Sequence, residues 1–144
     1  MKAYNARELA EIIEKHWKWL HSEDGGERAN LSDADLSCAC LRGADLSRAD
    51  LRGADLSEIR SLWNATGNMS EIKSVQCDLW PVTYTADMMQ IGCQFHAIAE
   101  WWEFSDSEIN RMDSQALAWW SIWKPILKNI IEVSPATPGK TDKE

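Results

Sequence analysis

The sequence predicts a mainly β fold with flanking helices, in which a short solenoid is closed at each end by other elements. Three observations lead to this class. A leucine recurs every five residues between positions 29 and 58, a helical pattern precedes this stretch, and alternating strands and a long apolar helix follow it. Because the ends of a solenoid need capping, we expect a capping helix at 1–26, the solenoid at 27–79, a strand-and-helix module at 80–133 and a disordered tail at 134–144.

The first 26 residues carry the signals of one amphipathic helix. Asn5 followed by Glu8 is a capping-box pattern, and Gly25 with Gly26 is a stop signal. The apolar stripe between them consists of Leu9, Ile12, Ile13, Trp17 and Leu20. We expect this helix to close the N-terminal end of the solenoid.

The central stretch has a strict five-residue period. Its leucines are Leu31, Leu36, Leu41, Leu46, Leu51 and Leu56, and alanines lie two positions before each of them. A period of five fits neither the 3.6 residues of a helical turn nor the two of a plain strand. A chain that turns a corner at each unit would point the leucines and alanines inward and leave the aspartates and arginines outside.

Written as units, the stretch reads ANLSD ADLSC ACLRG ADLSR ADLRG ADLSE. It resembles the pentapeptide-repeat family, and this resemblance implies a right-handed, four-sided (quadrilateral) β-helix with about four units per coil. Cys40 stands where the family pattern has Asp or Asn. A degenerate continuation through Leu79 stays open, because Ile72, Val75 and Leu79 do not keep the register.

Charge and length restrict the functional classes. The 144 residues carry a formal net charge of -8 and a pI of about 4.9, which disfavours direct binding of nucleic acid or of anionic lipid. The longest apolar run, 116–120, is too short to cross a membrane. We therefore expect a cytoplasmic protein, in the host cell if phage-encoded, with buried, reduced thiols at Cys38, Cys40, Cys77 and Cys93.

A polar strip is the most site-like feature of the second half. Alternation through residues 89–96 predicts one strand with Cys93 on its apolar face and Gln90, Gln94 and His96 together on the other. These three side chains form a possible ligand-binding site. The odd spacing of Cys93 and His96 places them on opposite faces, which disfavours both a zinc site and a nucleophilic pair.

Tryptophans dominate the C-terminal half. Trp101 and Trp102 fall in a predicted short strand or turn, so one of them would face outward as a partner anchor. The helix predicted from Ser114 to Val133 is apolar on most sides. We expect a homodimer interface on it, made by Trp119, Trp123, Ile126 and Ile130. The segment from MQIGCQFH to the WWSIWK helix also resembles a module that follows pentapeptide repeats in phage and prophage proteins.

Together these features predict a non-enzymatic acidic interaction protein, phage- or prophage-encoded, that binds and inhibits a host protein in a counter-defence role such as anti-CRISPR. The predicted contact residues are Asp35, Asp45, Asp50, Asp55, Trp101 and Trp102. The sequence contains no phosphate loop or dinucleotide fingerprint, so we expect no catalytic residue, cofactor or metal.

Three alternative functions stay open. The first is a sponge that sequesters a nucleotide-derived signal through Gln90, Gln94 and His96. The second is a DNA mimic that acts on a topoisomerase or another DNA-binding protein, for which the clear repeats are short. The third is a structural component of a virion.

Overall fold

The computed structural model describes residues 2–139, which form short strands and helices around two apolar cores. In chain order the elements are β1 (Lys2–Ala3), α1 (Ala6–Leu20), β2 (Ala34–Asp35), β3 (Lys73–Val75), β4 (Val82–Tyr84), β5 (Met88–Ile91), β6 (Gln94–Ala97), α2 (Ile98–Glu103), α3 (Asp106–Asn110) and α4 (Ala116–Val133). Strands β1 and β2 pair in parallel, and β3 to β6 form one antiparallel sheet in sequence order.

The repeat segment, residues 29–66, pairs with itself at a fixed distance along the chain. Parallel bridges join Asn30 to Asp50, Asp35 to Asp55, Cys40 to Ser61 and Asp45 to Thr66. The first two pairs are 20 residues apart and the last two are 21 apart. Each unit therefore pairs with the unit four positions later. The ladder ends at Thr66, so it stops short of the predicted limit at Leu79, whose side chain is 51% exposed.

The change from 20 to 21 residues marks one inserted residue. Cys38 N–H donates to the carbonyl of Glu58, whereas Arg60 N–H donates to the carbonyl of Ala39. Between these two bonds the later coil holds one residue more than the earlier one, and Ile59 there is 4% exposed. Since the insertion is absorbed at a corner, Leu62 and the units beyond it stay in the core.

The period of five is visible in the backbone. The last residue of each unit has a positive φ, between 56° and 71°, at Asp33, Cys38, Gly43, Arg48, Gly53 and Glu58. A left-handed residue turns the chain sharply, and glycine adopts this conformation without the steric cost that other residues carry. These corners point the leucines inward, where each is at most 8% exposed, as predicted.

The N-terminal end of the repeat segment is covered by α1 and β1. The predicted capping box of Asn5 and Glu8 is present, and Leu9 is buried against the repeat core. The buried His16 ring accepts the Ala29 N–H at Nδ1 (2.9 Å) and donates from Nε2 to the carbonyl of Ser47 (2.8 Å). These bonds satisfy backbone groups at the edge of the first coil that would otherwise lack a partner.

The other end is covered by one face of the antiparallel sheet. Ser74, Thr83, Gln90 and Phe95 form a row across its four strands. The side chain of Gln90 accepts the Leu62 N–H (2.9 Å), Thr83 donates to the carbonyl of Ala65 (2.9 Å), and Ser74 accepts the Gly67 N–H (3.2 Å). Phe95 packs against the repeat core. The sheet therefore caps the last coil through polar side chains.

Two predicted elements of the second half are wrong. The strand expected through Cys93 is a hairpin, because Gly92 (φ 53°) and Cys93 form a turn between β5 and β6. Cys93 is consequently exposed, and so are the other three cysteines, contrary to the prediction of buried thiols. The stretch from Ile98, expected as a strand or turn, is the helix α2.

The C-terminal residues run back over the molecule. Ala136 is 5% exposed, and Thr137 N–H donates to the carbonyl of Ser70 (2.9 Å). A Cβ on Gly139 would lie 2.1 Å from the carbonyl oxygen of Ala54, so only glycine permits this approach. Residues 134–139 of the predicted disordered tail are thus packed, and the rest of it lies outside the described residues. Within residues 2–139, no helix is long and apolar enough to cross a membrane.

Candidate functional site

The predicted polar strip does not form. In the hairpin, Gln90 pairs with Phe95, whereas His96 pairs with Met89 and Gln94 pairs with Ile91. Paired residues share a face of a sheet, so Gln90 faces the repeat segment and the other two polar residues face the helices. A continuous strand would have kept all three on one side, but the two-residue turn inverts the alternation.

The side chains of this strip have structural partners. Gln90 is 3% exposed, and its amide also donates to the carbonyl of Gly92 (3.0 Å). The His96 ring contacts Gln94 Oε1 (3.0 Å) and lies edge-on to Trp101 and Phe104. Gln90 is therefore a clamp between the sheet and the repeats.

The two adjacent tryptophans are both turned toward the protein. Trp101 is 2% exposed and donates from Nε1 to the carbonyl of Met89 (2.8 Å). Trp102 is half-buried, stacks on Trp120 with ring centroids 6.0 Å apart, and lies beneath the ammonium of Lys128. On a helix, neighbouring side chains are about 100° apart and not on opposite sides. Of the two tryptophans named as contact residues, Trp101 is thus buried, and Trp102 is half-buried against Trp120.

The four aspartates predicted to contact a partner also hold the turns of the repeat. Oδ1 of Asp35, Asp45 and Asp55 accepts the backbone N–H and the hydroxyl of the serine two residues further along the chain. Asp50 instead binds Arg52, at 2.8 Å between Oδ2 and the guanidinium. The hydrogen bond from the Arg52 side chain lowers the pKa of Asp50 to about 2.

The predicted dimer residues are divided between interior and surface. Trp119, Trp123 and Ile130 are half-buried and pack against the second apolar core. Ile126 is 41% exposed, and Ile122, one turn before it, is 62% exposed. The outward apolar row of α4 therefore contains Ile122 and Ile126, and Val133, which is 77% exposed, continues it at the end of the helix.

A cavity lined by tryptophans lies between the sheet and the helices, and we call it the Trp cavity. Its volume is about 80 Å³, and its aromatic walls are Trp80, Trp101, Trp119 and Trp120. The Trp80 and Trp119 rings are 5.3 Å apart and nearly perpendicular, at 74°. Gln94, Cys93 and Asp113 supply the polar part of the lining.

A larger groove, about 630 Å³, separates α1 from residues 35–45 of the repeat segment. One wall carries Ala10, Ile13 and Trp17 of α1, and the other carries the backbone and side chains of 35–45. Trp17 is 44% exposed, unlike its expected place on the buried stripe. We call this feature the edge groove.

Sequence reasoning missed most of the residues of both sites. Trp80 and Asp113 stand outside any predicted element, and nothing in their spacing relates them to Trp119. The edge groove had one signal. The helix α1 has small residues, Ala6 and Ala10, on the side that faces the groove. Among residues 2–139, no cluster of three His, Cys, Asp or Glu side chains could hold a metal ion.

Comparison with known proteins gives one match. The family model described as pentapeptide repeats (8 copies) matches residues 27–60, which include all six clear units. No curated protein and no solved structure matches the chain. The comparison thus identifies the repeats and leaves α1 and the C-terminal part to be interpreted from their geometry.

Proposed function

We propose that this protein, which carries pentapeptide repeats at residues 27–60, is a non-enzymatic acidic interaction protein that binds and inhibits a host protein. The observation that carries the proposal is the edge groove, where the first coil has an unpaired backbone edge. In this proposal the repeats form a right-handed, four-sided β-helix and act as a rigid scaffold. The pairing of each unit with the fourth following unit supports that architecture.

The direction of the backbone groups supports an open edge. The carbonyl of Ala39 and the N–H of Leu41 bond to the second coil, at Arg60 and Ser61. Because successive backbone groups of an extended chain point in opposite directions, the N–H and carbonyl of Cys40 point into the edge groove. Within residues 2–139, neither group has a hydrogen-bond partner.

The same argument applies to the next side of the coil. The carbonyl of Ala44 and the N–H of Leu46 bond to Thr66 of the second coil. The backbone N–H and carbonyl of Asp45, between them, therefore point toward the groove. Ser47 continues this edge, and its carbonyl is already occupied by His16. An unpaired edge of this kind is a template for strand addition.

The protein provides its own example of such an addition. Lys2 and Ala3 pair in parallel with Ala34 and Asp35, where the wall of the groove begins, and Lys2 N–H donates to the carbonyl of Asp33 (3.2 Å). We therefore infer that the occupant is an extended segment of the partner, with small apolar residues against α1. The groove lining carries Glu14 and Asp45 as well as Arg42 and Arg60, so basic residues of the segment would face the two acids and acidic residues would face the two arginines.

The test is to fill the groove without disturbing the core. Ala10 is exposed and lines the groove, and Ala118 is exposed on α4, away from it. Immobilised wild type, Ala10→Trp and Ala118→Trp are incubated with an extract of bacterial cells, and bound proteins are quantified by mass spectrometry. We expect one protein to be retained by wild type and Ala118→Trp and lost from Ala10→Trp. Equal retention on all three would contradict the edge groove.

Two further measurements complete the test. With the purified partner, hydrogen exchange at the amides of Cys40 and Asp45 should slow on binding, and the partner's activity should fall at stoichiometric amounts. A partner retained by Ala10→Trp that is released as salt rises would instead favour the DNA mimic. A nucleotide in the eluate would favour the sponge. A phage origin is proposed from the C-terminal resemblance alone, and the genomic neighbourhood of the gene tests it.

A further inference from the structure

We propose that the Trp cavity binds the alkylated ammonium head group of a small organic cation that also carries an oxygen acceptor. This site is independent of the edge groove, because it lies between the sheet and the helices of the C-terminal part. The inference stands on three observations: the aromatic walls, the charge of the lining, and one buried donor without a partner.

The walls have the geometry of an aromatic cage. Trp80 meets Trp119 at 74°, and Trp101 meets Trp120 at 46°, with ring centroids 5.3 Å apart in both pairs. Rings inclined to one another surround a guest on more than one side. The negative face of a tryptophan ring attracts a cation placed within about 6 Å of it, and quaternary ammonium groups are recognised in this way.

The polar part of the lining favours a positive guest. No lysine, arginine or histidine lines the cavity, and its one charged lining residue within residues 2–139 is Asp113. The carboxylate of Asp113 is exposed and accepts the Gln115 N–H through Oδ1 (2.8 Å). The lining therefore offers no cationic side chain to compensate a phosphate, which argues against a nucleotide as the guest.

The third observation concerns Trp120. Its Nε1 is the one buried side-chain nitrogen or oxygen of residues 2–139 that has no hydrogen-bond partner. Buried donors are nearly always satisfied, and a cation alone cannot accept this bond. The Trp120 ring is one wall of the Trp cavity, and we infer that a hydroxyl or ether oxygen on the guest, two or three atoms from the ammonium, supplies the acceptor.

The cavity is large enough for the ammonium head group of the ligand but not for the rest of the molecule. A cavity of roughly 150 Å³ in another protein holds benzene, and the Trp cavity has about half that volume. A trimethylammonium group fills such a space when the rest of the molecule extends past Asp113 into solvent. Choline is the smallest probe that has both the head group and the oxygen.

The test compares choline with its neutral isostere, 3,3-dimethyl-1-butanol, by isothermal titration calorimetry on the full chain. Both molecules have the same shape and hydroxyl, so a difference reports the charge. We expect choline to bind about tenfold more tightly or better, the value of a desolvated cation–π contact. Equal affinities, or no saturable binding of choline up to roughly 10 mM, would overturn the proposal.

Variants locate the site. Asp113→Asn, at an exposed position, should weaken the binding of choline several-fold and leave the affinity for the isostere unchanged. Trp119→Leu keeps an apolar side chain but removes the ring, so choline should lose about tenfold in affinity. Trp119→Phe retains a weaker aromatic face and serves if the leucine variant is misfolded. Trp17→Leu, on the remote helix α1, is the matched control and should bind as wild type does. Weaker choline binding by Trp17→Leu would contradict the assignment. Unchanged choline binding by both Asp113→Asn and the Trp119 variant that folds would contradict it as well.

The ligand chemistry has two sources, a free molecule and a lipid head group. Sedimentation with phosphatidylcholine vesicles distinguishes them. We expect no co-sedimentation, because the guest must enter between helices, and choline should bind in either case. If the protein co-sediments with the vesicles and free choline abolishes this, the ligand is a lipid and not a free molecule. The proposed recognition of the trimethylammonium head group would then still hold.

Discussion

The repeat segment and the C-terminal part achieve burial in opposite ways. In the repeats, leucine and alanine recur at equivalent places, and each corner uses the same left-handed residue and the same turn. In the C-terminal part, the core contains tryptophans that each have different neighbours and different ring angles, and the indole nitrogen of one of them has no hydrogen-bond partner. A repeated local rule produces a filled core, whereas individual aromatic contacts leave a cavity. The ligand binding that we propose accordingly lies in the C-terminal part, and the proposed strand binding lies at the edge of the repeats.

The largest expected effect tests whether these two regions unfold together. Leu46 in the repeat core and Leu127 in the second core are both 0% exposed. Replacing either by alanine should lower the free energy of unfolding by about 3 kcal/mol, from lost burial and the cavity created. Because the sheet caps the repeats, urea unfolding followed by far-UV circular dichroism and by tryptophan fluorescence should show one shared transition. Two separated transitions would mean that the cores are independent.

The next prediction concerns the junction itself. Gln90→Leu would leave the buried Leu62 N–H and the Gly92 carbonyl without partners, so we expect a loss of about 2 kcal/mol in urea unfolding. Gln94→Leu is the matched control, because Gln94 is half-buried and faces the helices. If both variants lose the same amount, the Gln90 clamp contributes nothing specific.

A smaller effect should appear at the surface of the repeats. Arg52 lowers the pKa of Asp50 to about 2 from the ordinary value of 3.8. A lowered carboxyl pKa stabilises the folded state above about pH 4, and this stabilisation is lost as pH falls through about 2. Arg52→Ala should therefore lower the melting temperature slightly at pH 7, and the difference from wild type should shrink between pH 4 and 2. The arginine is 82% exposed, so solvent screening keeps the effect small.

Arg60→Ala, at another exposed position of the repeats, is the control for that experiment. A difference between wild type and Arg52→Ala that stays constant from pH 7 to 2 would exclude the ion pair as its cause.

The smallest effect on monomer stability is expected on the outer row of α4. We propose that Ile122 and Ile126 contact a second copy of the chain, so Ile126→Glu should shift sedimentation equilibrium toward monomer without changing the unfolding midpoint of the monomer. Leu79→Glu, at a side chain 51% exposed on another element, is the control. A wild type that is monomeric at all concentrations would refute the dimer.

The fold was predictable where the pattern itself defines the geometry. The five-residue period identifies the inward leucines, and Asn5 with Glu8 identifies the start of α1. Alternation failed at Gly92, because a strand and a hairpin look alike when the two turn residues continue the apolar and polar order. His16, placed by its two bonds to the first coil, had no signal in the helical stripe.

The candidate sites were less predictable than the fold. The Trp cavity depends on Trp80 meeting Trp119, which lie 39 residues apart in different elements. The edge groove depends on which backbone groups the cap leaves uncovered, and this follows from the position of α1 and not from its composition.

The return of the chain after four units also sets the relation between the two ends of the molecule. In the four-sided β-helix that we propose, inserting a whole coil of 20 residues would translate the sheet by about 4.8 Å along the axis and leave its orientation to α1 unchanged. Inserting a single unit would instead rotate the sheet by one side of that coil. The number of repeats would thus set the distance and the rotation between the two ends of the molecule. Evolution or design could then change how the proposed strand-binding edge and the Trp cavity are oriented to each other without altering either site.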